Sequence, residues 1–189
     1  CHETNLFPLT MRSHSQYDFI HFVSNSQREW HGAQGPKVKA KSVIIPNVLS
    51  KLRKRSFSGR TGSYGVIGSI DPHKRTHEAI KAALHKGGLG CKVKVFGNAS
   101  SKPYLLNVVK PLMDQHINVE LMGHEDDKQK MYDQLDGVFH ASERETFNYI
   151  KAECAMVEIP YYGVPSANSG AEFIEADGVY ELWKECLEL

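Results

Sequence analysis

Tyr64-Gly65-Val66-Ile67-Gly68-Ser69-Ile70-Asp71-Pro72-His73-Lys74-Arg75 reads as a short apolar strand that stops at a glycine and turns into a helix. Asp71 can cap that helix, and Pro72 fits its first position, where a missing N–H costs nothing. Apolar runs then recur at Lys92–Gly97, Asn118–Met122, Gly137–Ala141 and Glu158–Tyr161. Helical stretches separate them at Lys74–His85, Tyr104–Gln115, Lys128–Gln134 and Phe147–Met156. Strands alternating with helices predict a Rossmann-like three-layer α/β/α domain with a mainly parallel sheet.

Outside this block the pattern is less regular. Upstream, Asp18–Ser24 and Ser42–Pro46 are expected strands and Gln27–His31 a helix; downstream, helices are expected around Ala171–Ala176 and Val179–Leu187. Pro36 and the Lys51–Ser63 run, rich in Ser, Gly and basic residues, read as loops or a linker. The expected division is residues 1–50, as the end of a preceding domain or a linker partly packed on the main body, and residues 51–189 as that body.

The chain has 189 residues, 41% of them hydrophobic, enough for one sizeable core. No apolar run approaches the roughly 18 residues of a membrane span, and the start lacks the features of a signal peptide. It does not begin with Met, so an excised or processed piece is expected. Cys1, Cys91, Cys154 and Cys186 are too scattered for a C-x-x-C metal site, which favours a reducing, cytoplasmic setting. A net charge of +1 argues against a nucleic-acid partner. Yet residues 36–70 carry eight basic side chains and no acidic one, a face for an anionic ligand or membrane surface, or else a solvated loop.

Ligands of open α/β sheets bind beyond the carboxyl ends of the strands, so the strand-to-helix turns carry the chemistry. In the first turn, helix-start amides beside Lys74 and Arg75 suit a phosphate, or serve simply as a capped helix with a solvated lysine. In the second, Gly123-His124 ends a strand with a glycine that lets backbone approach a flat ring, or makes a plain turn. The third holds Ser142, Glu145, Thr146, Phe147 and Asn148 at another helix start. Glu145 and Glu153, with seven residues between them, straddle that junction. Were both helical, their backbones would lie about 12 Å apart along the axis, too far for acid and base work on one bond. They suit two ends of a long ligand, or an exposed glutamate and a helix-surface glutamate. His73 and His77 share a helix spacing without a third ligand. No G-x-S-x-G elbow, P-loop or G-x-G-x-x-G fingerprint is present.

These turns, in order, resemble the carboxyl-terminal half of GT-B fold retaining glycosyltransferases, specifically glycosyltransferase family four. The resemblance is carried by Phe22-Val23-Ser24, Ile45-Pro46-Asn47, Gly65-Val66-Ile67-Gly68 to Lys74, Val95-Phe96-Gly97, Val119 to Gly123, and Ser142-x-x-Glu145-x-Phe147 through Glu153-Cys154-Ala155-Met156. It spans roughly residues 18–175. It implies a nucleoside diphosphate sugar donor, a glycan, lipid or other hydroxyl acceptor, and catalysis without a metal or other cofactor. Lys74 and Glu145 would be catalytic, on the donor diphosphate and near the transferred sugar. Glu153 would accept from the ribose hydroxyls, amides at Phe147 and Asn148 would meet the distal phosphate, and Gly123-His124 would flank the base. Gly68, Ser69, Arg75, Ser142 and Thr146 complete the implied donor site.

Departures accompany the match. Ser69 stands where an arginine commonly follows the glycine, with His73 or Arg75 as substitutes, and Asn148 replaces a glycine. Val157-Glu158 replaces Cys-Gly, and Gly-Gly-x-x-Glu survives only as Asn168-Ser169-Gly170-Ala171-Glu172. The chain is about half of a complete enzyme of this family, so it is expected to be inactive without its amino-terminal, acceptor-binding domain. Two rivals stand beside this reading: a noncatalytic nucleotide-sugar-binding or partner-docking module, and another α/β enzyme such as a sugar-nucleotide epimerase, which tightly bound NAD would reveal.

Overall fold

The computed structural model describes residues 19–25, 27–29, 41–56, 59–142, 145, 148–163 and 173–174. They belong to two compact units. The larger comprises Lys51–Glu143 and Ile150–Pro165, the smaller Cys1–Ser50, Arg144–Tyr149 and Ser166–Leu189.

In the smaller unit β1 (Phe19–Phe22) pairs in parallel with β2 (Lys41–Ile44), and β3 (Asn47–Val48) with β9 (Phe173–Ile174). Ser24 caps the short helix that follows β1, its Oγ accepting from the Gln27 N–H at 3.1 Å. The helix expected around Ala171–Ala176 is thus broken by a strand at Phe173–Ile174, where an aromatic and a β-branched residue pair with Asn47 and Val48. Val179–Leu187 lies outside the described residues.

The described residues of the larger unit form five strands, all parallel: β4 (Ser63–Ile67), β5 (Lys92–Phe96), β6 (Val119–Gly123), β7 (Val138–His140) and β8 (Tyr161–Gly163), in the order β6-β5-β4-β7-β8. Alternate residues of these strands feed cores on opposite faces, which is why the strands read as near-continuous apolar runs. Val66, Val93, Val95, Val119 and Phe139 pack with Ala79, Ile80 and Ala83 of α1 (Thr76–Gly87) and with Tyr104 and Val109. Phe96 and Val138 pack instead with Met131 and Tyr132 of α3 (Lys128–Asp133) and with Cys154 and Val157 of α4 (Tyr149–Val157). The three-layer expectation holds.

Helix α2 runs from Lys102 to Gln115 and is wound as a π-helix over Leu105–Val109. Pro111 has no N–H to return to Asn107, and the wide turn lies just ahead of it. Strand β8 starts three residues later than the apolar run Glu158–Tyr161 suggests. Glu158 leaves α4 in a left-handed conformation (φ 57°), Ile159 N–H bonds back to Cys154, and Pro160 ends the turn before pairing begins. A glutamate thus takes here a left-handed conformation that glycine adopts most readily.

At the amino end of the sheet, Asp136 accepts from the Thr61 and Gly62 N–H groups, both at 2.8 Å, and from Arg55 Nη1 at 3.1 Å. Arg55 Nη2 also reaches the Gly59 carbonyl. One of the eight basic residues between positions 36 and 70 is thereby a structural anchor rather than a ligand-facing charge.

Candidate functional site

The sheet order places a switch point at its middle. From β4 the chain passes first to β5 and β6 on one side and later to β7 and β8 on the other, so the crevice outside the carboxyl ends of β4 and β7 is where a ligand of this architecture binds. Strands β4, β5 and β6 each end at a glycine of positive φ: Gly68 (134°), Gly97 (136°) and Gly123 (73°). Gly68 N–H donates to Phe96 O at 3.0 Å, and Gly97 N–H to Gly123 O at 2.8 Å. A Cβ on Gly97 would overlap the Gly68 carbonyl, so this stepwise row of strand ends depends on the missing side chain. Gly97, read in the sequence only as part of a signature, belongs to the same rim as Gly68 and Gly123.

The loop after β4 is organised by Asp71. Ser69 Oγ donates to its Oδ2 at 2.6 Å, Ser100 Oγ donates to the same oxygen at 3.3 Å, and Lys74 N–H donates to Oδ1 at 3.0 Å. Burial pushes the Asp71 carboxyl up, but these hydrogen bonds outweigh it and hold the group below the ordinary aspartate value. Ile70 N–H, bonded to Asn98 O at 2.9 Å, ties the loop to the end of β5.

The capped helix start is a single 3-10 turn, Pro72–Lys74, and α1 begins only at Thr76, after Arg75 in a left-handed conformation (φ 50°). The amides expected to point outward are engaged within the chain: Lys74 N–H by Asp71, Arg75 N–H by the Pro72 carbonyl, and His77 N–H by Tyr104 Oη at 3.3 Å. His73 and His77 consequently lie on different elements, and His77 Nδ1 meets Tyr104 Oη at 2.6 Å. Among the described residues no group of three His, Cys, Asp or Glu side chains is placed to hold a metal ion.

A cavity of about 590 Å³ opens beside this loop, between α1 and the ends of β7 and β8. Arg75, Glu78, His140 and Tyr161 supply its polar groups, while Ala79, Ala82, Phe139 and Tyr162 supply much of its apolar wall. His140 is buried and its Nδ1 lies 2.9 Å from Tyr161 Oη. An apolar hollow with a few convergent polar groups is the usual form of a small-molecule site. None of His140, Tyr161 and Tyr162 was singled out from the sequence, because a buried histidine on a strand and tyrosines 21 and 22 residues later share no local spacing.

The remaining expected residues divide between the units. Gly68, Ser69, Lys74, Arg75, Gly123, His124, Ser142 and Glu153 belong to the larger one, Glu145 and Asn148 to the smaller, and Thr146 and Phe147 lie outside the described residues. Ser142 is buried just beyond β7. His124 is exposed, its Nε2 3.1 Å from Asp126. Glu145 precedes α4, whereas Glu153 lies within it, buried and paired with the Lys128 ammonium, and it accepts from Tyr132 Oη at 2.7 Å. Those two partners were not legible in advance. No described helix is long and apolar enough to cross a membrane.

No family model matches the sequence. No curated protein matches it either. Solved structures do resemble its fold. TarM from S. aureus superposes with a TM-score of 0.66 at 18% identity, over 93% of this chain and 37% of TarM. The pneumococcal O-GlcNAc transferase GtfA, solved with UDP and GlcNAc, gives 0.65 at 21% identity, over 90% of this chain and 37% of GtfA. HepE from Anabaena, solved with UDP-glucose, gives 0.67 at 14% identity, over 90% and 54%. The chain therefore has the mainly parallel α/β fold of the GT-B glycosyltransferases, of which it spans only a part.

Proposed function

We propose that the chain is the donor-binding part of a retaining glycosyltransferase, holding a nucleoside diphosphate sugar while its glycosyl group passes to an acceptor hydroxyl. The observation that carries this reading is the rim of strand-end glycines, with Lys74 and Arg75 on the adjoining loop, at the switch point of a fold shared with sugar-transferring proteins. Within the larger unit, Lys74 would meet the diphosphate, Glu153 the ribose, and Gly123-His124 the base. Charge developing on the leaving diphosphate would be met by cations already in position, which is electrostatic preorganisation and calls for no covalent intermediate with the protein.

Ser69 donates its hydroxyl to Asp71 and supplies no charge, so the cation implied by the family at that position must come from elsewhere. Of the two substitutes, Arg75 is favoured because it lines the cavity, while His73 is exposed. The chain spans about 37% to 54% of the structures it resembles, and acceptor-binding residues are assigned to the part it does not span. The same Ser69 geometry favours, as a second reading, a module that binds the donor without transferring it.

Two of the similar structures hold UDP or UDP-glucose, so uridine nucleotides come first in a calorimetric panel with guanosine and adenosine diphosphates and their sugars. One diphosphate should bind, and Lys74→Ala should weaken it about tenfold or more while leaving the matching nucleoside nearly unaffected. Equal losses for diphosphate and nucleoside would remove Lys74 from the phosphate, and no binding by any nucleotide would remove the reading. Donor binding without transfer, once the acceptor-binding part is supplied, would establish the noncatalytic module instead.

A further inference from the structure

Among the described residues Glu153 is the one carboxylate that is buried, with 2% of its surface exposed. A carboxylate in such a place either loses its charge or is held charged by donors. Both donors here come from α3: Lys128 Nζ to Oε1, and Tyr132 Oη to Oε2 at 2.7 Å. Four residues apart, they lie one above the other on the same helix face. Tyr132 is fully buried, and that burial together with the Glu153 charge pushes its phenol up, so it remains a donor across the accessible pH range. Lys128 is less enclosed, its side chain 40% exposed.

An ionised carboxylate offers about four lone-pair sites, two on each oxygen. With one donor on each oxygen, one acceptor site per oxygen remains, and the pair suits the two hydroxyls of a vicinal cis-diol. We propose that Lys128 and Tyr132 are positioning residues that fix the orientation of the Glu153 carboxylate so that it accepts from the ribose 2′- and 3′-hydroxyls, and that they thereby set the discrimination between ribo- and 2′-deoxynucleotides. This rests on the reading of Glu153 as the ribose acceptor. A purely structural tie between α3 and α4 would hold the fold together equally well but would be indifferent to the ligand's sugar.

The test is calorimetry on the whole 189-residue chain with the nucleoside diphosphate that binds it and the 2′-deoxy counterpart. The unaltered chain should prefer the ribonucleotide about tenfold, the worth of one hydrogen bond to a charged group. Lys128→Met should bring that preference close to one, Lys128→Arg should restore most of it, and Tyr132→Phe should fall between. Lys128 is half-exposed, so its variants report even if Tyr132→Phe fails to fold. A preference unchanged in Lys128→Met overturns the positioning role while leaving nucleotide binding intact. Absence of binding in the unaltered chain overturns both.

Discussion

Asp136 and Asp71 stand at opposite ends of one sheet, each taking several hydrogen bonds and each held below the ordinary aspartate value. For Asp136, burial raises the carboxyl, but donation from the Thr61 amide, Arg55 and the Gly62 amide outweighs it. For Asp71, burial is outweighed by Ser69, the Lys74 amide and Ser100. What separates them is the reach of those partners along the chain. Asp136 grips residues 74 to 81 positions away, including a well-buried guanidinium. Asp71 grips neighbours two and three positions away, with Ser100 29 away. The amino-end aspartate therefore closes the domain on its linker, whereas the carboxyl-end aspartate shapes a loop at the candidate site.

If that contrast is right, Asp136→Ala should cost most. It leaves two backbone N–H groups without their acceptor and Arg55 without its carboxylate, so the unfolding free energy in urea should fall by about 3 kcal/mol. Its pH signature follows from the sign of the shift. A carboxyl whose folded pKa is depressed stabilises fully above its unfolded value, 3.8 here, and loses that contribution as pH falls toward the folded value. Asp136→Ala should accordingly flatten the acid limb of the stability curve below about pH 4. A loss under about 1 kcal/mol would reduce the clamp to the rank of a surface ion pair.

Asp71→Ala should show the opposite balance. Loss of a local cap costs about 1 kcal/mol, but diphosphate affinity should drop several-fold as the Ser69–Lys74 loop relaxes. Calorimetry that found diphosphate affinity unchanged would make Asp71 as purely structural as Asp136.

The smallest effect belongs to Glu158→Gly. Glu158 adopts φ 57° at the end of α4, and its side chain pairs with exposed Lys54. Relief of the left-handed strain, about 1–2 kcal/mol, is opposed by the weak surface pair and by the extra chain entropy of glycine. A net gain of about 0.5 kcal/mol should appear as a small rise in the thermal midpoint. A fall would mean that the Lys54 pair holds the linker as Asp136 does.

How far these contacts could be read in advance tracks the same difference in reach. The alternation of apolar runs was enough for the parallel three-layer fold, because strands buried on both faces leave an unmistakable run. The Asp71 cap was legible because donor and acceptor are three residues apart. The 3-10 turn was not, since it depends on Arg75 taking a left-handed conformation that no spacing announces. The late start of β8 likewise turned on Glu158, and the strand at Phe173–Ile174 on a partner at Asn47–Val48. Thr146 and Phe147, prominent in the sequence, lie outside the described residues.

Local chemistry thus decided the sheet, its helices and the loops at its carboxyl end, since periodicity, caps and strand-end glycines act over a few residues. Tertiary structure alone decided which charges are spent. Arg55 goes to Asp136, and Lys128 and Tyr132 go to Glu153, because only packing brings donors 21 to 81 residues distant within hydrogen-bond range of a carboxylate.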